Sequence, residues 1–92
     1  MARITIFYLE HCPYCHHARR AVEALKAENP AYAGIGIDWV EESLLPELAE
    51  RYDYYYVPTL YDGGRKLYEC SPAHGYGEIL AHIREAFDSV LG

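Results

Sequence analysis

Two cysteines stand three positions apart in His11-Cys12-Pro13-Tyr14-Cys15-His16, directly behind the apolar run Ile4-Thr5-Ile6-Phe7-Tyr8-Leu9. This stretch constrains the fold most, because that spacing stacks the two sulfurs only if a helix begins between them. Pro13 supplies the start, since the N–H it lacks would have no intrahelical partner at the first helical position. Cys12 then falls at the N-cap, where unpaired N–H groups and the positive end of the helix dipole stabilise an anion. Cys15 falls one turn inside, on the more buried side.

The rest of the chain reads as a scaffold for that turn. Residues 3–9 are apolar on both alternating faces, as in a central strand covered on two sides. Cys15, Ala18, Val22 and Leu25 recur at helical spacing, opposite His16, Arg19, Arg20, Glu23 and Lys26, until Asn29-Pro30 stops the helix. After Gly34, residues 35–40 read as a second buried strand, parallel to the first across a right-handed crossover. Ser43 is the expected N-cap of a short helix that turns Leu45, Leu48, Ala49 and Tyr52 inward, with Pro46 in its first turn.

Residues 54–61 are aromatic and β-branched, with Pro58 interrupting the strand they imply near its start. Asp62-Gly63-Gly64 before Lys66, Leu67 and Tyr68 signals a hairpin. Beyond the loop Ser71-Pro72-Ala73-His74-Gly75, a last helix has the stripe Ile79, Leu80, Ile83, Phe87, Val90 and Leu91. The order is βαβ-α-ββ-α, a three-layer α/β arrangement with a four-stranded mixed sheet between helices. Residues 1–92 are expected to form a single domain, long enough to bury roughly two thirds of the unfolded surface.

Composition narrows the partners. A net charge of -6 does not suit a nucleic-acid binder, which gathers Lys and Arg against phosphates. No apolar run reaches membrane-span length and no leader pattern stands at the start, so the expected location is the cytoplasm, with no membrane partner. Three cysteines do not make a secreted disulfide framework, and in a reducing compartment a close pair is more often catalytic or metal-binding.

Disulfide exchange needs an attacking thiolate and a second thiol that displaces the product, roles that fit Cys12 as nucleophile and Cys15 as resolving thiol. Other chemistries fit parts of the pattern. Two inert buried thiols are the plainest. Cys12-Pro13-Tyr14-Cys15-His16 also matches a c-type haem attachment string, although the βαβ context and the want of a distal ligand speak against it. A metal or iron-sulfur module could draw on His11, His16 or His17, or share a cluster across a dimer. A zinc site usually shows a second ligand pair downstream, however, and Cys70 with His74 is irregular. The histidines otherwise read as a solvated helix face, and Cys70 as a half-buried core thiol. Tyr52, Tyr54, Tyr55 and Tyr56 read first as packing and second as a rim for extended substrates.

Cys12-Pro13-Tyr14-Cys15 after an N-terminal strand, with Val57-Pro58 before a hairpin, resembles the glutaredoxin branch of the thioredoxin superfamily over nearly the whole chain. The resemblance implies a thiol-disulfide oxidoreductase with Cys12 and Cys15 catalytic, and Pro13, Tyr14, Val57 and Pro58 at the substrate. It implies a cis Pro58 facing the cysteines and a Val57 backbone that pairs with the substrate. Pairs of this type have potentials of roughly -200 to -230 mV. The implied partners are disulfide-bearing proteins or small thiols, acting on a monomer with no resident cofactor or metal. Glutathione, or a thioredoxin-reductase-type enzyme, is the implied electron donor. The sequence departs from the glutathione-binding pattern in two places: Leu9 replaces the lysine three before the first cysteine, and Tyr68-Glu69-Cys70-Ser71-Pro72 replaces a Gly-Gly and acidic segment. Both changes remove partners for the carboxylates of glutathione.

Overall fold

A computed structural model describes residues 2–92. Its elements are β1 (Arg3–Tyr8), α1 (Pro13–Glu28), α2 (Pro30–Ala33), β2 (Gly36–Glu41), α3 (Pro46–Ala49), β3 (Thr59–Asp62), β4 (Arg65–Glu69) and α4 (Tyr76–Leu91). The sheet runs β2-β1-β3-β4, with β1 and β2 parallel and the other two pairs antiparallel. Among the described residues, no helix is long and apolar enough to cross a membrane.

Strand β1 is central because it is apolar on both sides. Ile4 and Ile6 face a main core closed by α1 and α4, where Leu60, Ala18, Leu25, Ile79, Ile83 and Phe87 are also buried. Phe7, on the opposite face, is fully buried against Val40 and Tyr61, under a cover of Leu48, Ala49, Tyr52, Tyr54 and Val57. Its ring lies 4.7 Å from that of Tyr52 and 5.1 Å from that of Tyr54. An aromatic cluster thus covers a face that the single turn of α3 is too short to cover.

Several expectations need correction. Strand β2 is half-buried, with only Val40 fully inside, because it lies at the sheet edge. Asn29 ends α1 and also starts α2: its side-chain oxygen accepts from Ala31 N at 2.9 Å, so the expected loop contains a helical turn. Ser43 caps nothing; its N–H and hydroxyl both donate to Glu41 Oε1 at 2.7 Å. The N-cap of α3 is Leu45, which is exposed rather than inward. The third strand starts at Thr59 and not at residue 54, and Pro58 precedes it. Leu91, in the last turn of α4, is exposed.

The hairpin turns where expected, between Asp62 and Arg65, with Gly63 at φ 59 in the left-handed region that favours glycine. Glu78 closes the start of α4 by accepting from Gly75 N at 2.8 Å.

Leu60, with no exposed surface, and Leu44, 77% exposed, give a direct check on this packing. Leu60→Ala is expected to lower unfolding free energy by about 2–5 kcal/mol in urea titration, and Leu44→Ala to stay within about 0.5 kcal/mol.

Candidate functional site

The chain leaves β1 through Leu9, Glu10 and His11 and turns into α1 at Cys12, whose N–H donates to Leu9 O at 3.3 Å. Cys12 is extended (φ -97, ψ 122), and its carbonyl accepts from Cys15 N and His16 N, both at 3.1 Å. Its side chain makes no capping bond, which leaves the sulfur directed elsewhere. That sulfur is half-buried and lies 4.0 Å from Val57 O.

Cys15 is a different thiol. It is 2% exposed, and Leu9 N donates to its sulfur at 3.5 Å. Burial pushes its pKa up to about 12 against the help of the Leu9 N–H, and the neighbouring Cys12, by hydrogen bond and charge, pushes the same way. Among the described residues, Cys12, Cys15 and Cys70 are all free thiols.

The Val57-Pro58 bond is cis, as the resemblance implied. Pro58 is buried, and its carbonyl accepts from Cys70 N at 3.0 Å, so the end of β4 fixes the proline that stands opposite the motif. Cys70 is fully rather than half buried; burial raises its pKa, and its sulfur donates to Ser71 O at 3.5 Å.

The segment before Val57 is held from outside by side chains. Glu69 Oε2 accepts from Tyr55 N at 2.8 Å and Tyr56 N at 2.9 Å, while Oε1 pairs with Lys66 at 2.7 Å. Burial opposes ionisation of Glu69, but Lys66 and the two backbone donors hold its carboxyl below the usual range. The buried Thr59 hydroxyl donates to Tyr56 O. Tyr55 N, Tyr56 N and Tyr56 O are therefore satisfied without a strand ladder.

Cys12, Cys15, Val57 and Pro58 thus meet at one end of the sheet. Pro13 begins the helix, and the Tyr14 hydroxyl donates to Pro72 O at 3.0 Å, tying the motif to the loop after β4. His16 Nε2 lies 2.7 Å from Glu10 O, and the ring of His17 packs edge-on against Tyr76. Among the described residues, no three His, Cys, Asp or Glu side chains are grouped to hold a metal ion. Sequence reasoning missed Glu69 and Thr59 as supports of the site. Their signal was faint: an acid and a hydroxyl opposite one another across a hairpin, next to a proline.

Fold and geometry define a member of the thioredoxin superfamily: a four-stranded mixed sheet with helices on both faces and a CxxC turn at the start of α1. Residues 9–88 match the family described as "Glutathione S-transferase, N-terminal domain", and the chain belongs to that family. Among solved structures, a malarial protein is similar at TM-score 0.60 and 16% identity, covering 90% of this chain and 93% of that one. Thioredoxin 1 from the thermophilic eubacterium Thermosipho africanus gives TM-score 0.62 and 14% identity over 98% of this chain and 99% of that one. Human ERp44 in its zinc-bound form gives TM-score 0.61 and 20% identity, over 92% of this chain but 27% of that one. At these identities the likeness is one of fold. No curated protein matches the sequence.

The contrast between the thiols predicts selective labelling. In the reduced protein, brief iodoacetamide treatment between about pH 7 and 9 is expected to modify Cys12 and spare Cys15, because the Cys12 sulfur is accessible whereas Cys15 is buried and stays protonated there. Peptide mass mapping reads the result, and equal modification of Cys15 would contradict the assignment of its burial.

Proposed function

We propose that the protein is a glutaredoxin-like thiol-disulfide oxidoreductase with Cys12 as nucleophile and Cys15 as resolving thiol. The observation that carries this reading is the pairing of an accessible Cys12, facing the Val57 carbonyl, with a buried and protonated Cys15 one turn along the same helix. Membership of a glutathione S-transferase domain family and of the thioredoxin superfamily is consistent with it.

The reaction balances on these groups. The Cys12 thiolate attacks one sulfur of the substrate disulfide, forming a mixed disulfide and releasing the other sulfur as a thiolate. Cys15 then gives its proton to the departing thiolate and attacks Cys12 Sγ, which frees the second substrate sulfur as a thiolate that takes its proton from water. The substrate gains two electrons, and the pair leaves as a Cys12–Cys15 disulfide. Two of the influences that keep Cys15 protonated come from Cys12 itself, and both vanish once Cys12 is consumed in the mixed disulfide. Burial holds the second thiol in reserve; covalent capture of the substrate eases its release. The Leu9 N–H, 3.5 Å from Cys15 Sγ, is placed to support the charge that develops there.

An external dithiol or two molecules of a monothiol must recharge the pair. Family membership supports glutathione as that reductant, whereas the cations along α1 support it less. Arg19 lies over the rings of Tyr8 and Trp39, and Arg20 over Tyr76, and Leu9 offers no charge. A flavin-dependent thioredoxin reductase is the other donor in this reading. Parallel coupled assays, one with glutathione and glutathione reductase and one with thioredoxin reductase, identify which system turns the protein over.

The cysteine roles predict two distinct phenotypes. Cys12→Ser is expected to abolish disulfide reduction, with kcat/KM falling at least about a thousandfold, as for loss of a covalent nucleophile. Cys15→Ser is expected to accumulate substrate linked to Cys12, visible as an adduct by intact mass and released by reductant. Full insulin reduction by Cys12→Ser would refute the assignment.

A further inference from the structure

The run of tyrosines expected to act together is divided by the fold. Tyr52 and Tyr54 pack on Phe7, whereas Tyr55 is 93% and Tyr56 51% exposed. Their exposure is enforced by the backbone. Glu69 holds both of their N–H groups, the Thr59 hydroxyl holds the Tyr56 carbonyl, and the Tyr54 hydroxyl is bonded to Glu42 at 2.7 Å. A pinned loop thus presents two large aromatic rings to solvent beside the proposed substrate edge. Rigid tyrosines of this kind give contact area at low entropic cost.

A groove of about 350 Å³ opens beside Tyr55, lined by Glu42, Pro46, Glu50, Tyr52 and Tyr54. The segment from which its lining is drawn, residues 41–55, has five acids, Glu41, Glu42, Glu47, Glu50 and Asp53, against the single cation Arg51. Of these, Glu42 and Glu50 line the groove itself. Val57 follows Tyr55 by two residues, at most about 7 Å of chain, and its carbonyl lies 4.0 Å from Cys12 Sγ. Tyr55 thus stands within a few residues' reach of a polypeptide whose cysteine is joined to Cys12.

We propose that Tyr55, Tyr56 and the acidic groove beside them form a subsite for a polypeptide substrate whose cysteine is flanked by lysine or arginine. The proposal rests on the thiol-disulfide reading above and names its substrate class. Charge complementarity selects the occupant: a guanidinium or ammonium stacks on a tyrosine face and pairs with Glu42 or Glu50. An acidic flank, or a small anionic thiol, meets like charge in the same place.

The test uses the whole protein and three heptapeptides with one central cysteine, each held as a mixed disulfide with thionitrobenzoate. The flanks are lysine, serine or glutamate. Attack by Cys12 on the peptide sulfur releases coloured thionitrobenzoate, and Cys15 then frees the peptide thiol, so absorbance follows the first step. The lysine peptide is expected to react about tenfold faster than the glutamate peptide at low salt, the sum of one cation–π contact and one exposed ion pair. That ratio is expected to shrink as ionic strength rises. In a Tyr55→Ala/Glu50→Lys variant, altered at two exposed positions, the ratio is expected to fall to about twofold or less, with circular dichroism confirming the fold.

Equal rates for the three peptides would overturn the subsite, as would a preference that survives in the variant. So would rates that drop with protein concentration because a second copy covers the tyrosines. Hydroxyethyl disulfide separates the two failures. If wild-type protein reduces it but shows no peptide preference, the subsite falls and the redox reading stands; if it reduces neither this compound nor any peptide, the redox reading itself falls.

Discussion

Burial of β1 from both sides is the constraint on which the site depends. Ile4 and Ile6 are sealed by α1 and α4, and Phe7 by an aromatic cover from the other side, so the end of this strand cannot shift without disturbing two cores at once. The cysteine turn hangs from that end. Leu9 supplies the carbonyl that receives Cys12 N and the N–H that reaches Cys15 Sγ. The opposite wall, Val57-Pro58, is fixed just as firmly, because Cys70 N holds Pro58 O and Glu69 holds the residues before it. Two rigid edges thus face each other across Cys12.

Between those edges the two thiols are made unequal by position alone. One helical turn separates a sulfur at the solvent margin from one that is 2% exposed. Desolvation then keeps the inner thiol neutral, and the outer thiol adds to that effect until it is engaged. In the proposed reaction this inequality assigns attack to Cys12 and resolution to Cys15, with no further base beside the pair. A fold does not fix a chemistry, so this local asymmetry supports the redox proposal more directly than the fold does.

Most of this was legible in the sequence where a residue has a strong local preference. Pro13 after Cys12 set the start of α1, Asn29-Pro30 its end, and Gly63-Gly64 the hairpin, because proline and glycine constrain the backbone whatever surrounds them. The failures lie where a distant side chain outweighs local preference. Residues 54–58 have strong strand propensity, yet Glu69 and Thr59, on the hairpin, take the backbone groups of Tyr55 and Tyr56 in place of a neighbouring strand. Ser43 is a good cap by type, but the Glu41 carboxylate two residues away takes both of its donors. The apolar pattern of β2 could not reveal that it would end at a sheet edge, since order within a sheet is a property of the whole topology. The exposure of Tyr55 beside the buried Tyr54 is of the same kind: identical residues, told apart only by the loop's tethers.

The central claim is that Cys12 and Cys15 cycle together as one dithiol-disulfide pair. It is tested most directly by equilibrating the protein in thiol-disulfide buffers of graded potential, trapping free thiols, and mapping the disulfide by peptide mass. The account predicts a single two-electron transition between roughly -200 and -270 mV that links Cys12 to Cys15 and leaves Cys70 free. No transition in that range, or a disulfide that includes Cys70, would contradict it.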